Sequence, residues 1–99
     1  MDTFEALAEP TRRRILERLR TSESSVTELV DSLHVAQPTV SKHLKVLREA
    51  GLVASRTAAQ RRIYRLEPTP LRALDAWLEP YRRQWASSLD ALERHLDSS

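Results

Sequence analysis

The stretch Pro38-Thr39-Val40-Ser41-Lys42-His43-Leu44-Lys45 decides how this chain is read. On a helix turning 100° per residue, Val40 and Leu44 fall on one narrow stripe with Leu47, and that stripe must face a core. Lys42, Lys45 and Glu49 point the opposite way. Ser41 and Arg48 lie on one border, and Thr39, His43 and Ala50 lie towards the other. The exposed start of this helix is therefore small, polar and basic. Such a surface can approach base edges in the major groove of duplex DNA, where bulkier side chains would hold a helix off.

The flanks fix the context. Upstream, Ser25-Val26-Thr27-Glu28 fits a capping box, in which the serine hydroxyl accepts from the Glu28 N–H and Glu28 reaches back. It opens a helix over 26–33 that buries Val26, Leu29, Val30 and Leu33. His34-Val35-Ala36 is a turn, and the next helix spans 37–50 with Gly51 as a positive-φ stop. Ala36 takes the N-cap position, where Ser or Asp would serve better. Downstream, 52–56 and 61–66 read as two hairpin strands. Their tip, Thr57-Ala58-Ala59-Gln60, lacks the Asn-Gly or Asp-Gly of a tight turn, which predicts a looser loop. Helix, short turn, helix and basic hairpin make a winged helix-turn-helix, mainly α with a small β-hairpin wing.

Towards the N-terminus, 3–8 reads as a short helix broken at Glu9-Pro10. Pro10 opens a second helix over about 11–20, with Ile15, Leu16 and Leu19 on its apolar side. Thr21-Ser22-Glu23-Ser24 has no apolar residue and reads as a loop. After the hairpin, Glu67-Pro68-Thr69-Pro70 stops the strand and a long helix follows over 71–96. Pro80 lies inside it and predicts a kink or break. The expected order is four helices, two strands and a last helix, in a single domain over 1–99.

That last helix exceeds what a winged helix over residues 4–66 needs. Leu71, Leu74, Leu78, Tyr81, Trp85, Leu89 and Leu92 form a stripe at three- and four-residue spacing, with Leu96 beyond. The expected use is homodimerisation, with Phe4 and Leu7 of the first helix packing nearby; the alternative is an intrachain core. A two-fold dimer would present two copies of helix 37–50 to an inverted repeat. Trp77, Tyr81 and Trp85 have a second possible use, as a pocket for a small apolar effector.

Ninety-nine residues, 40% hydrophobic and 30% charged, suit one folded domain rather than a disordered chain. No window approaches a membrane span, and Met1-Asp2-Thr3-Phe4-Glu5 has no signal-peptide character. The expected location is the cytoplasm, at the nucleoid when bound to DNA, with no membrane partner. The absence of cysteine excludes disulfides, thiolate metal ligands and a thiol nucleophile. With a single glycine, Gly51, there is no glycine-rich phosphate loop. No paired-carboxylate cleft is evident either, so no catalytic residue, cofactor or enzyme activity is expected.

The net charge of +2 is unevenly placed. Residues 36–66 carry Lys42, Lys45, Arg48, Arg56, Arg61, Arg62 and Arg65 against Glu49 alone. That segment is +6 and the remainder −4, an electrostatic footprint suited to phosphate. The candidate DNA contacts are Gln37, Thr39, Ser41, Lys42, His43 and Lys45 on the helix, with Arg56, Arg61 and Arg62 on the wing. Gln37 matches an adenine edge, and Thr39 and Ser41 match a base edge or a phosphate. The lysines match phosphate or guanine, and arginines of a wing enter the minor groove or grip its phosphates. His43 is half-buried on the wheel and fits either a DNA contact or a packed ring. Arg65 lies further from the tip. Arg12, Arg13 and Arg14 fit either backbone phosphate or a solvated face.

These segments resemble the ArsR/SmtB family of winged-helix transcriptional repressors. The resemblance is carried by Leu7-Ala8-Glu9-Pro10-Thr11-Arg12-Arg13-Arg14-Ile15-Leu16, by Val26-Thr27-Glu28-Leu29, by 37–53 and by Arg61-Arg62-Ile63-Tyr64-Arg65-Leu66. The tail Trp77-Leu78-Glu79-Pro80-Tyr81-Arg82-Arg83-Gln84-Trp85 is similar to a metal-independent, SdpR-like branch. The resemblance implies a homodimeric repressor that binds an inverted-repeat operator and leaves DNA when an effector binds. The family's metal sites do not carry over. Its thiolate positions fall near Val30 and Ser32, and the last helix offers Asp75, Asp90, Glu93 and His95 without a paired histidine spacing. The competing expectation is a winged-helix module that binds a protein partner without reading DNA.

Overall fold

The computed structural model describes residues 1–98. Its elements are α1 (Thr3–Ala8), α2 (Pro10–Thr21), β1 (Ser24–Ser25), α3 (Val26–Leu33), α4 (Gln37–Glu49), β2 (Val53–Ala58), β3 (Arg61–Leu66) and α5 (Thr69–Ser98). This is the expected winged helix-turn-helix, with one strand more than the sequence indicated.

Each helix begins where local chemistry satisfies its free N–H groups. Asp2 accepts from the Glu5 N–H at 2.8 Å to open α1, and Glu9 accepts from the Arg12 N–H at 2.9 Å to open α2. Ser25 and Glu28 form the full capping box on α3. Ala36 gives α4 no side-chain cap, as its methyl group requires. Instead the Thr39 and Val40 N–H groups both donate to the Ala36 carbonyl at 3.1 Å, and Pro38 in the first turn has no N–H to satisfy. At its other end α4 closes in a Schellman pattern: Leu52 N–H donates to the Leu47 carbonyl at 2.9 Å and Gly51 N–H to the Arg48 carbonyl at 3.0 Å. Gly51 has φ +76°. A Cβ there would meet nothing closer than Pro70 at 3.7 Å, so the backbone conformation, not space, selects glycine.

The core gathers Ala6 of α1, Ile15, Leu16 and Leu19 of α2, and Leu29 and Leu33 of α3. Val40, Leu44 and Leu47 of α4 meet them, and Leu52, Val53 and Tyr64 close it from the wing side. The apolar stripe of α4 is thus buried as its spacing requires. Leu71 packs only at the margin, and no residue of α5 joins the buried core.

The sheet order is β1-β3-β2, antiparallel throughout. Ser24 pairs with Tyr64 and Ser25 with Ile63, so part of the expected loop 21–24 is a strand. A strand of two serines has no hydrophobic alternation to betray it. The wing tip is tighter than expected. β2 extends to Ala58, which pairs with Arg61, leaving Ala59 and Gln60 as a two-residue turn. Both have positive φ, 48° and 71°, the signature of a type I′ turn. The strand twist imposes this turn even though neither residue favours it.

Of the kink or break expected at Pro80, no break occurs: α5 is continuous through it. Arg82 ties the turn before the proline to the turn after it. It donates to the Asp75 carboxylate at 2.8 Å, the Asp75 carbonyl at 3.1 Å and the Glu79 carboxylate at 2.7 Å. Over 30 residues the helix extends far beyond the core, and the molecule measures 64 × 25 × 21 Å. Trp77, Tyr81, Trp85, Leu89, Leu92 and Leu96 are all exposed on it.

The strained wing turn yields a direct expectation. Replacing Ala59 by Asn and Gln60 by Gly removes a left-handed penalty of about 1–2 kcal/mol per residue. The double variant should melt several degrees above the parent in thermal unfolding, roughly 4–8 °C per kcal/mol recovered. An unchanged or lower melting temperature would show that the tip carries no such strain.

Candidate nucleic-acid interface

On α4, Gln37, Thr39, Ser41, Lys42 and Lys45 are all exposed, while Val40, Leu44 and Leu47 hold the helix down from the other side. None of these five polar side chains is engaged in a hydrogen bond or ion pair among the described residues. Their donors and acceptors are available to a ligand without breaking anything inside the protein. α4 has 13 residues, a length of about 20 Å that fits the major groove of B-DNA.

His43 is set apart from them. Its side chain is 12% exposed and turns towards α2. Arg12 Nη1 lies 3.4 Å from Nδ1, and Glu9 Oε2 lies 3.7 Å from Nε2. The ring therefore sits between the Arg12 guanidinium and the Glu9 carboxylate. Of the two roles open to His43 in the sequence, the geometry fits the packed one. Burial pushes the Glu9 carboxyl up, but the Arg12 N–H and the His43 ring beside it outweigh that and hold it below its ordinary value.

The basic triplet of α2 takes a role the sequence did not suggest. Arg12 donates to the carbonyls of Ala6 at 2.7 Å and Glu5 at 3.1 Å, and Arg13 to those of Leu7 at 2.7 Å and Ala8 at 3.0 Å. Arg14 donates to the Leu33 carbonyl at 2.8 Å. These guanidinium groups close the C-terminal ends of α1 and α3, where helix carbonyls lack partners. Arg13 and Arg14 remain exposed while making these bonds, and Arg12 is half-buried. The signal was present in the brevity of the helices, which leaves many such carbonyls close to α2.

The wing cations fall into two groups. Arg62 is exposed without an acidic partner, and so is Arg65. Arg56 donates through Nε and Nη2 to Glu23 Oε2 at 3.2 and 2.8 Å. Arg61 donates to the Ser25 hydroxyl at 2.7 Å and to Glu28 Oε1 at 3.1 Å. Glu23 and Glu28 are therefore part of the electrostatics of the wing, a role that sequence reading missed by treating Glu28 as a cap alone. The Ser25 N–H and hydroxyl, with Arg61 adding to them, hold the Glu28 carboxyl below its ordinary 4.5.

α1 and α5 form an aromatic cluster. Phe4 meets Trp77 edge-on at 5.3 Å, and Trp77 meets Tyr81 at 4.8 Å. Trp77 lines a shallow groove of about 180 Å³ with Phe4, Pro70 and Leu74. Tyr81 and Trp85 do not line it and stand on the open face of α5. A second cleft, about 230 Å³, is floored by Leu7, Leu16, Leu66 and Leu71.

Glu28 and His43 each carry an expectation. Because Glu28 is stabilised as the carboxylate in the fold, its contribution is present above about pH 4.5 and is lost as pH falls through its lowered value. Glu28→Gln keeps the cap geometry but should flatten the acid limb of a stability-against-pH curve; an unaltered limb would remove Glu28 from that account. His43→Ala should lower stability by about 1 kcal/mol, as loss of a part-buried hydrogen-bonded group does. It should leave the salt dependence of DNA binding unchanged, and a shallower slope would return His43 to the DNA-contacting set.

Comparison with known proteins agrees with this geometry. Residues 9–55 match the family model described as bacterial regulatory protein, arsR family. The HTH-type transcriptional regulator Rv2034 of Mycobacterium tuberculosis is 45% identical over 95 residues, covering 96% of this chain and 86% of that protein. The arsenic resistance transcriptional regulator ArsR1 of Pseudomonas putida is 40% identical over 93 residues, covering 90% and 72%. Among solved structures, an ArsR-like transcriptional regulator from Rhodococcus sp. RHA1 superposes with a TM-score of 0.76 at 30% identity, covering 97% of this chain and 88% of that one. An amphipathic helix with an unengaged polar face, a basic wing and these relatives converge: the chain belongs to the ArsR/SmtB family and is a sequence-specific DNA-binding transcriptional regulator, not an enzyme.

Proposed function

We propose that the protein is a homodimeric repressor that binds an inverted-repeat operator, with α4 in the major groove and the wing on the adjacent backbone or minor groove. The observation that carries this is the unengaged polar face of α4. Gln37, Thr39 and Ser41 read base edges, and Lys42 and Lys45 take phosphate or guanine. Arg62 supplies the first wing contact, with Arg56 and Arg61 behind it.

Dimerisation uses α5, supported by the exposed stripe from Trp77 to Leu92 and by Phe4 beside it. Leu7, Leu71, Leu74 and Leu78 are half-buried at its base and continue the surface. Repression is then steric: a dimer on a promoter occludes polymerase. The chain fits the metal-independent, SdpR-like branch, because it has no cysteine and places Val30 and Ser32 near the family's thiolate positions. A small apolar effector is accommodated by the groove beside Trp77. Among the described residues no helix is long and apolar enough to cross a membrane, which agrees with action in the cytoplasm at the nucleoid.

Selection of bound duplexes from a random pool should return an inverted repeat with half-sites about one helical turn apart. Lys42→Ala should weaken binding to every sequence and reduce the salt slope by about 0.9. Recovery of no consensus would refute operator reading. In light scattering, Trp85→Glu with Leu89→Glu should convert a dimer to a monomer; a mass unmoved by both changes would refute the α5 interface.

A further inference from the structure

The pairing of the wing arginines has a consequence for DNA affinity. Arg56 and Arg61 lie on the same face of the sheet, opposite Tyr64. Arg56 pairs in register with Ile63, and Ile63 in turn pairs with Ser25. The acids that hold them, Glu23 and Glu28, both come from the segment that enters α3. Each pair joins residues 33 positions apart in the chain. The Glu28 carboxylate is oriented before any arginine arrives, because its Oε1 already accepts from the Ser25 N–H at 3.2 Å. Arg61 uses that same oxygen and the Ser25 hydroxyl. On the opposite side of the pair, Arg56 directs two donors at one oxygen of Glu23.

We infer that Glu23 and Glu28 are affinity-setting residues, which compete with DNA phosphate for Arg56 and Arg61. A carboxylate and a phosphate oxygen make the same demand on a guanidinium, so each contact with DNA from these arginines displaces an internal one. All four side chains are about half exposed, at 54% and 46% in one pair and 57% and 46% in the other. The exchange therefore opens no part of the core. Exposed pairs of this kind shift an equilibrium by roughly two- to fivefold each. Arg62, with no acid beside it, is free to make first contact with the phosphates. The acids thus lower binding that rests on backbone charge alone and leave the base-reading face of α4 untouched.

This inference rests on the DNA-binding reading, and one experiment separates the two. The probe is the fluorescent duplex recovered by the selection above, titrated with the full chain at fixed salt. Glu23→Gln and Glu28→Gln are compared with Asp31→Asn, which removes the same charge from an exposed site on α3 that holds no cation. Glutamine preserves the capping box at position 28, and Glu23 lies outside any cap, so both variants are expected to fold. Each glutamine variant should bind about two- to fivefold tighter than the Asp31→Asn control. The gain should vanish when Arg56→Gln is added to Glu23→Gln, or Arg61→Gln to Glu28→Gln. A gain no larger than the control's, or one that survives loss of its arginine, overturns the inference while leaving DNA binding intact. A wild-type chain that fails to bind the duplex overturns both.

Discussion

Short helices are mostly ends, and that constraint governs this molecule. α1 has six residues and α3 has eight, while the groups left without partners at each helix end number about four. Unless the ends are satisfied, little of either helix remains to hold the recognition helix in place. The chain meets the demand at the N-termini with Asp2, Glu9 and the Ser25–Glu28 box. At the C-termini of α1 and α3 it uses three successive arginines of α2. Arg12 performs two tasks at once, since it also meets His43 and so fastens α4 to the same junction. The orientation of the exposed face of α4 therefore depends on a cluster bonded to the protein's own backbone and to His43.

Charge counting alone misplaces that chemistry. Arg12, Arg13 and Arg14 form the densest run of cations in the chain, yet they are committed to backbone carbonyls. Two of the wing arginines are held by carboxylates. On α4 and the wing, the cations without a partner among the described residues are Lys42, Lys45, Arg48, Arg62 and Arg65. A modest free positive surface suits a protein that must discriminate between sequences, because phosphate contacts raise affinity for every duplex equally. Base-edge contacts are then left to carry a larger share of the selection.

The helices were legible in the sequence for physical reasons, and the exceptions are equally physical. The boundaries of α3 and the stop at Gly51 were readable because capping boxes and left-handed glycines are local devices that need no tertiary information. The apolar stripe of α4 was readable because a helix that packs on one face must repeat its buried residues near every fourth position. β1 was hidden, since two serines acquire strand geometry only by pairing with Tyr64 and Ile63 across the fold. The tight wing turn was hidden for a related reason: strand register forces Ala59 and Gln60 into conformations their own preferences oppose. For the interface, the exposed face of α4 could be derived from spacing. The acids facing Arg56 and Arg61 could not, because nothing local indicates which of several glutamates a folded wing will meet.

The last helix poses a different problem. Residues 83–97 are exposed on every side, and a helix without tertiary packing is marginal in water even when its sequence is favourable. Pro80 adds to the burden by removing one backbone hydrogen bond. The clamp of Arg82 on Asp75 and Glu79 offsets part of that loss, but ion pairs on an open surface contribute little. Meanwhile Trp85, Leu89, Leu92 and Leu96 leave more than half of their surface in contact with water. Burying large apolar side chains contributes roughly 1.5–3 kcal/mol each, more than any interaction within the isolated helix supplies. A second copy laid along the same stripe offers that burial and holds the two recognition helices at a fixed separation. In the proposed dimer, the order of α5 and the spacing of the operator half-sites are one requirement.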